Sequence, residues 1–168
     1  MSGPPLESLL PRGQTVMPRL VIVHFDGACE PPGTGGIATY GFTVDGEGFE
    51  EEQYGLAVRP FAPTATNNVA EYAGAICALE WLQSQGYRGP VVVRGDSQLV
   101  IRQMTGEYDV KAEHLKAYHA RLQQLVAAFE AVRFEWIPRE RNTRADALSK
   151  QAIREEERRR APGPGRGD

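Results

Sequence analysis

Four acids in this sequence each sit where an ionised carboxylate is poorly placed on its own. Asp26 ends the apolar run Leu20-Val21-Ile22-Val23-His24-Phe25 and is followed by Gly27-Ala28. Asp96 follows Val91-Val92-Val93 through Arg94-Gly95. Glu71 lies inside an apolar-periodic stretch beside Tyr72, and Asp146 is flanked by Ala145, Ala147 and Leu148. A lone charge in such surroundings is costly, and four side by side cannot all stay ionised without cations. Gathered at one place, they make an oxygen-lined site for hard divalent cations such as Mg²⁺. The shortage of soft ligands argues against Zn²⁺.

Each acid also has an ordinary structural reading. Asp26 suits a turn at a strand end, and Glu71 would complete a capping box with Asn68. Asp96 would serve as a helix N-cap, and Asp146 as a first-turn acid favoured by the helix dipole. Position favours the joint reading. Asp26 and Asp96 both follow buried-strand residues, and open α/β sheets place their sites at strand ends. Glu71 falls on the core-facing side of its helix, one turn from the small residues Gly74 and Ala75.

The elements that must position these acids are legible from periodicity. Strands are expected at Leu20–Phe25, Ile37–Val44 and Phe49–Val58, with Asp45-Gly46-Glu47-Gly48 as a hairpin turn. Val69, Tyr72, Ala73, Ile76, Leu79 and Leu82 recur at helical spacing, and Gly86 is the stop. A buried strand at Val91–Val93 and a short helix over Ser97–Met104 follow. A longer helix from about Lys111 carries Leu115, Tyr118, Leu122, Leu125, Val126 and Phe129. Val132–Ile137 alternates as a last strand, and Asn142 opens the final helix. The order β-β-β-α-β-α-α-β-α predicts an α/β fold with a mixed sheet, antiparallel first and parallel through its βαβ units.

The 168 residues, 41% hydrophobic and 24% charged, fit one soluble globular domain with tails. No run approaches the roughly 18 apolar residues of a membrane span, and no secretory signal is evident. Cys29 and Cys77 form neither a disulfide framework nor a metal-ligand spacing, so a cytoplasmic location is expected, with a monomer as the default. Residues 1–16 read as a disordered leader, 17–153 as the domain and 154–168 as a charged, Pro/Gly-rich tail. The closing Arg-Gly-Asp matches an adhesion tripeptide, too short a match to carry meaning. Net charge is −3, which at face value argues against a polyanionic partner. Four cation-binding acids account for that excess, so nucleic-acid binding is expected to be weak without metal. His24 reads as a half-buried strand residue, and His114 and His119 as surface.

At these residues the sequence resembles the type 1 ribonuclease H family. The matching stretches are Asp26-Gly27-Ala28 with the glycine-rich loop through Gly36, Thr66-Asn67-Asn68-Val69-Ala70-Glu71-Tyr72, Asp96-Ser97-Gln98-Leu99-Val100 and Asn142-Thr143-Arg144-Ala145-Asp146-Ala147-Leu148. The resemblance covers roughly residues 19–152. It implies a five-stranded sheet in the order 3-2-1-4-5 flanked by helices, and hydrolysis of the RNA strand of RNA–DNA hybrids, leaving 5′-phosphate and 3′-hydroxyl ends. Two Mg²⁺ ions, or Mn²⁺ in their place, would sit roughly 4 Å apart. Asp26 would bridge them, with Glu71 and Asp96 on one and Asp146 on the other.

The resemblance further implies that Gly27, Ala28 and Cys29, with Glu71 and Gln98, read the 2′-hydroxyl. Asn68 would contact the minor groove or the DNA strand, and Asn142 is a further candidate contact. Arg139 would stand in for the loop histidine of better-known members, as in a compact subgroup without the basic, tryptophan-bearing protrusion. An asparagine usual in the first loop is replaced by Pro31. Activity on double-stranded RNA besides hybrids is a reading the sequence leaves open. The competing readings are a DNA nuclease such as a resolvase on the same fold, and a non-catalytic nucleic-acid-binding module.

Overall fold

Val21-Ile22-Val23-His24-Phe25 mixes β-branched and aromatic residues, which fit a pleated, half-buried surface. A computed structural model of the protein extends this strand, β1, from Val21 to Glu30. The structure describes residues 19–161; the expected leader, 1–16, and the last residues of the expected tail, 162–168, lie outside them. β1 pairs antiparallel with β2 (Ile37–Gly46), which pairs antiparallel with β3 (Phe49–Leu56). On its other side β1 runs parallel to β4 (Val91–Gly95), and β4 runs parallel to β5 (Val132–Trp136). The sheet order is β3-β2-β1-β4-β5, the mixed five-stranded sheet anticipated.

β1 is longer than its sequence suggests. Asp26 does not lie beyond the strand's tip: it pairs with Gly41, and the ladder continues to Glu30 opposite Ile37. Only the β4 side stops, since the parallel pairing runs from Val21 opposite Val91 to His24 opposite Arg94. The same register carried two residues on puts Asp26 level with Asp96. Asp26 is thus held from one side by β2 and left open on the other, where two parallel strands part.

The helix α1 (Asn67–Ser84) starts at Thr66, whose hydroxyl accepts from the Val69 N–H at 3.2 Å. Asn68 is therefore not the cap. α1 ends before Gly86, whose φ of 79° lets the Tyr87 N–H bond back to the Leu82 carbonyl. Val69, Ala70, Tyr72, Ala75, Ala78, Leu79 and Leu82 are all fully buried. More than one face is covered because α1 lies between β1–β2 and α3 (Glu113–Val126). α2 (Gln98–Met104) is capped by Ser97, not by Asp96. His119 is half-buried, its Nε2 3.2 Å from the Gln103 carbonyl, whereas His114 is exposed.

The last helix, α4 (Thr143–Arg160), packs on β1, β2 and β3. It continues past Ile153 into residues that read as solvated tail. Glu156 is 4% exposed and accepts from Arg159 at 2.9 Å and Arg160 at 2.8 Å. The Tyr54 hydroxyl donates to Glu155 at 2.8 Å. Charges spaced three and four apart pair with each other, so the helix stays docked where composition alone suggested fraying.

Candidate active site

Two glycines decide how closely the helices approach the middle of β1. A Cβ on Gly27 would lie 2.3 Å from the Glu71 nitrogen. A Cβ on Gly41, the partner of Asp26, would lie 2.6 Å from Leu148 Cβ and 2.7 Å from the Ala145 carbonyl. Neighbouring strand residues face opposite sides of a sheet, so α1 and α4 press on opposite faces at the level of Asp26. That delivers Glu71 from one helix and Asp146 from the other.

One carboxylate oxygen from each of Asp26, Glu71 and Asp96 lies within 4.8 Å of the other two. These three and Asp146 line one cavity of about 350 Å³. Asp146 belongs to the cavity but is turned toward a counter-charge, its Oδ2 3.1 Å from Lys150 Nζ one helical turn on. The buried Ser149 Oγ lies 2.9 Å from both Asp26 Oδ2 and the Asp146 carbonyl. Thr39 Oγ1 donates to the Ser149 carbonyl at 2.7 Å, tying this turn of α4 to β2.

The electrostatics are those of a site short of positive charge. Burial, reinforced by the charges of Asp96 and Asp146, pushes Asp26 up to about 7, against the pull of the Ser149 hydroxyl. Glu71 is raised well above the carboxylate range by burial and by the charges of Asp26 and Asp96, although the Gly27 N–H bonds it. Glu71 Oε2 is buried and has no hydrogen-bond partner among the described residues. An orphaned buried acceptor among converging carboxylates fits a divalent cation, and an all-oxygen donor set fits a hard one. Cys29 lines the same cavity, but its Sγ faces the Ala65 carbonyl at 3.4 Å.

The other anticipated residues divide. Gly27, Ala28, Cys29 and Arg139 line the cavity, the first three from within β1. Asn68, Gln98 and Asn142 do not. Their neighbours Asn67 and Ser97 take the places of the first two, because α1 and α2 begin with those side chains toward the cavity. Asn142 is 2% exposed and donates from Nδ2 to the Phe25 carbonyl at 2.8 Å, fastening α4 to β1. Ser149, Lys150 and Glu30 also belong to the site and were missed. Ser149 and Lys150 share Asp146's helix face at i+3 and i+4, a spacing that offered a signal.

Sheet order and site together define an α/β domain with a carboxylate-lined, cation-accepting centre. Residues 33–152 match the reverse transcriptase-like family. The chain is 35% identical over 134 residues to the bifunctional protein Rv2228c of Mycobacterium tuberculosis. It is 37% identical over 134 residues to ribonuclease HI of Halobacterium salinarum. These stretches cover 79% of this chain, but only 35% of Rv2228c and 64% of the Halobacterium protein.

Solved structures agree. The N-terminal RNase H domain of Rv2228c superposes with a TM-score of 0.71 at 34% identity, over 85% of this chain and 99% of that one. RNase H1 of Halobacterium salinarum gives 0.70 at 35%, over 81% and 98%. LC11-RNase H1, solved in complex with an RNA/DNA hybrid, gives 0.71 at 36% identity over the same shares. The chain belongs to the type 1 ribonuclease H family.

Proposed function

We propose that this protein is an endoribonuclease that hydrolyses the RNA strand of RNA–DNA hybrids, leaving 5′-phosphate and 3′-hydroxyl ends. The observation that carries the reading is the convergence of Asp26, Glu71 and Asp96 around the unpartnered Glu71 Oε2. The hybrid-bound relative LC11-RNase H1 supports the choice of substrate. Asp26, Glu71, Asp96 and Asp146 would hold two divalent cations, Mg²⁺ by donor type or Mn²⁺ in its place. Bound there, such ions activate water and neutralise charge on the attacked phosphate and the leaving oxygen.

The chain's own residues do the rest. Ser149 fixes the rotamer of Asp26 by its hydroxyl, and the Gly27 N–H orients Glu71. Past His24, β1 has no strand partner on the β4 side among the described residues, so Gly27, Ala28 and Cys29 present that edge to an incoming strand. Selection of RNA over DNA requires a group that recognises the 2′-hydroxyl, and this edge with Glu71 supplies it. Arg139, exposed at the cavity wall, would meet the phosphate or ease product release. Asn67 and Ser97 replace Asn68 and Gln98 as the polar contacts at the helix starts.

A cleavage assay with labelled RNA–DNA, RNA–RNA and DNA–DNA duplexes, with Mg²⁺ and with EDTA, tests the proposal. Cleavage confined to RNA strands and abolished by EDTA is expected. Cutting of DNA–DNA would favour a resolvase-like enzyme, and binding without cutting would favour a non-catalytic module.

A further inference from the structure

β4 and β5 carry a second depression on the far side of the loop that bears Arg139. Its volume is about 580 Å³, and it is lined by His24, Arg94, Glu135, Trp136, Ile137 and Arg141. The register sets His24, Arg94 and Glu135 level on three neighbouring strands. α4 packs on β1, β2 and β3, which leaves this side of β4 and β5 open.

The charges there are unequal. Glu135 accepts from Arg94 Nε at 2.9 Å and lies 4.0 Å from Arg133, so one carboxylate answers two guanidiniums. Arg141 is exposed and has no ion pair among the described residues. In a chain of net charge −3, this is a local excess of positive charge.

The depression also adjoins the acids. Trp136 is 46% exposed, and its indole N–H donates to the Asp96 carbonyl at 3.2 Å. Arg139 and Arg141 stand on one 3₁₀ turn, Arg139–Arg141, with Arg139 lining the acid cavity and Arg141 the second depression. A strand leaving the acids past this turn meets an open aromatic face and then a free guanidinium. Stacking on an exposed indole needs a base that is not paired, and a guanidinium matches a phosphate.

We propose that this depression binds an unpaired nucleotide continuing from the hybrid, its base stacked on Trp136 and its phosphate held by Arg141. The inference rests on the hybrid-cleavage reading, and it makes ends and junctions of hybrids the preferred targets over their interiors.

The test compares a short blunt hybrid with the same hybrid carrying a single-stranded extension at the 5′ or 3′ end, in RNA or in DNA. Affinity is measured by fluorescence anisotropy with Mg²⁺ in an Asp26→Asn background, which keeps the duplex whole. One of the extensions should tighten binding about tenfold. Trp136→Leu and Arg141→Gln should each erase that ratio. Trp136→Phe should keep it, since a ring without the N–H still stacks, whereas a role confined to holding the Asp96 carbonyl would lose it.

A second readout needs no substitution at the trough. The protein's other tryptophan, Trp81, is half-buried and packed edge-on against Phe49. Quenching of indole fluorescence by the extended hybrid, but not by the blunt one, therefore reports Trp136. Equal affinity for blunt and extended hybrids, or an unchanged ratio in Arg141→Gln, overturns the proposal. Failure of the nuclease reading shows separately, as wild-type protein that does not cleave the blunt hybrid.

Discussion

Ser149 Oγ sits 2.9 Å from Asp26 Oδ2, so the central carboxylate of the site is aimed by a hydroxyl from the last helix. Removing it has two consequences with known signs. In Ser149→Ala, Asp26 loses the bond that lowers its pKa, so the acid limb of the pH–rate profile should move to higher pH. Stability should fall by about 1 kcal/mol, read from denaturant midpoints. An acid limb that stays in place would show that Ser149 does not govern Asp26.

Gly27→Ala should be far worse than an ordinary surface change. Its Cβ would fall 2.3 Å from the Glu71 nitrogen, and backbone cannot yield as a side-chain tip can. A loss of about 3 kcal/mol is expected, with cleavage lost through displacement of Glu71. Thermal melting and a hybrid-cleavage assay read the two effects.

Asp26→Asn and Asp96→Asn should each lower cleavage by about 10³-fold or more while leaving circular dichroism intact. Asp26→Asn should also melt higher than wild type at pH above 7 without metal, because it removes one buried negative charge from a repulsive group. A lower melting point there would mean that the carboxylates are not in conflict.

The pH dependence of the metal-free protein follows from the same groups. The Asp26 carboxyl is raised from 3.8 to about 7 on folding. Between those values the folded protein holds a proton that the unfolded chain has released, so stability falls as pH rises through the window. Glu71 acts in the same direction. His24 opposes them: burial, then Arg94, keeps its ring below the usual 6.5, which favours the fold as pH rises toward that value. Two buried carboxylates should outweigh one half-buried ring. Mg²⁺ should therefore raise the melting temperature more at about pH 8 than at about pH 5.5, and equal increments would contradict the arrangement.

A stop after Ile153 should destabilise the protein by about 2 kcal/mol, because it removes Glu155 and Glu156 with their partners. A stop after Ala161 keeps these pairs and should cost less. Differential scanning calorimetry of the two truncations decides.

The four acids were visible in the sequence because each interrupts an apolar pattern, and a charge in such a place demands a reason. What surrounds them was less visible. The Asp26-Gly27 pair imitates a strand end, yet Gly27 is there so that α1 can touch β1, a contact between residues far apart in the chain. The resemblance named Asn68 and Gln98, whereas their neighbours Asn67 and Ser97 line the cavity wall, because the caps fall at Thr66 and Ser97 and not at Asn68 and Asp96. A buried asparagine such as Asn142 looks the same in sequence whether it meets substrate or, as here, the Phe25 carbonyl. Trp136 gave no signal at all, since only its register beside β4 brings its indole to Asp96.

The grip of α1 and α4 on the middle strand has a bearing on biosynthesis. The helix that supplies Asp146 and Ser149 follows all five strands of the sheet in the chain, so the strands are synthesised before the four acids can be gathered. On the hybrid-cleavage reading, competence to cut waits for α4 to dock on β1 and β2, and a half-folded molecule is disarmed by the same geometry.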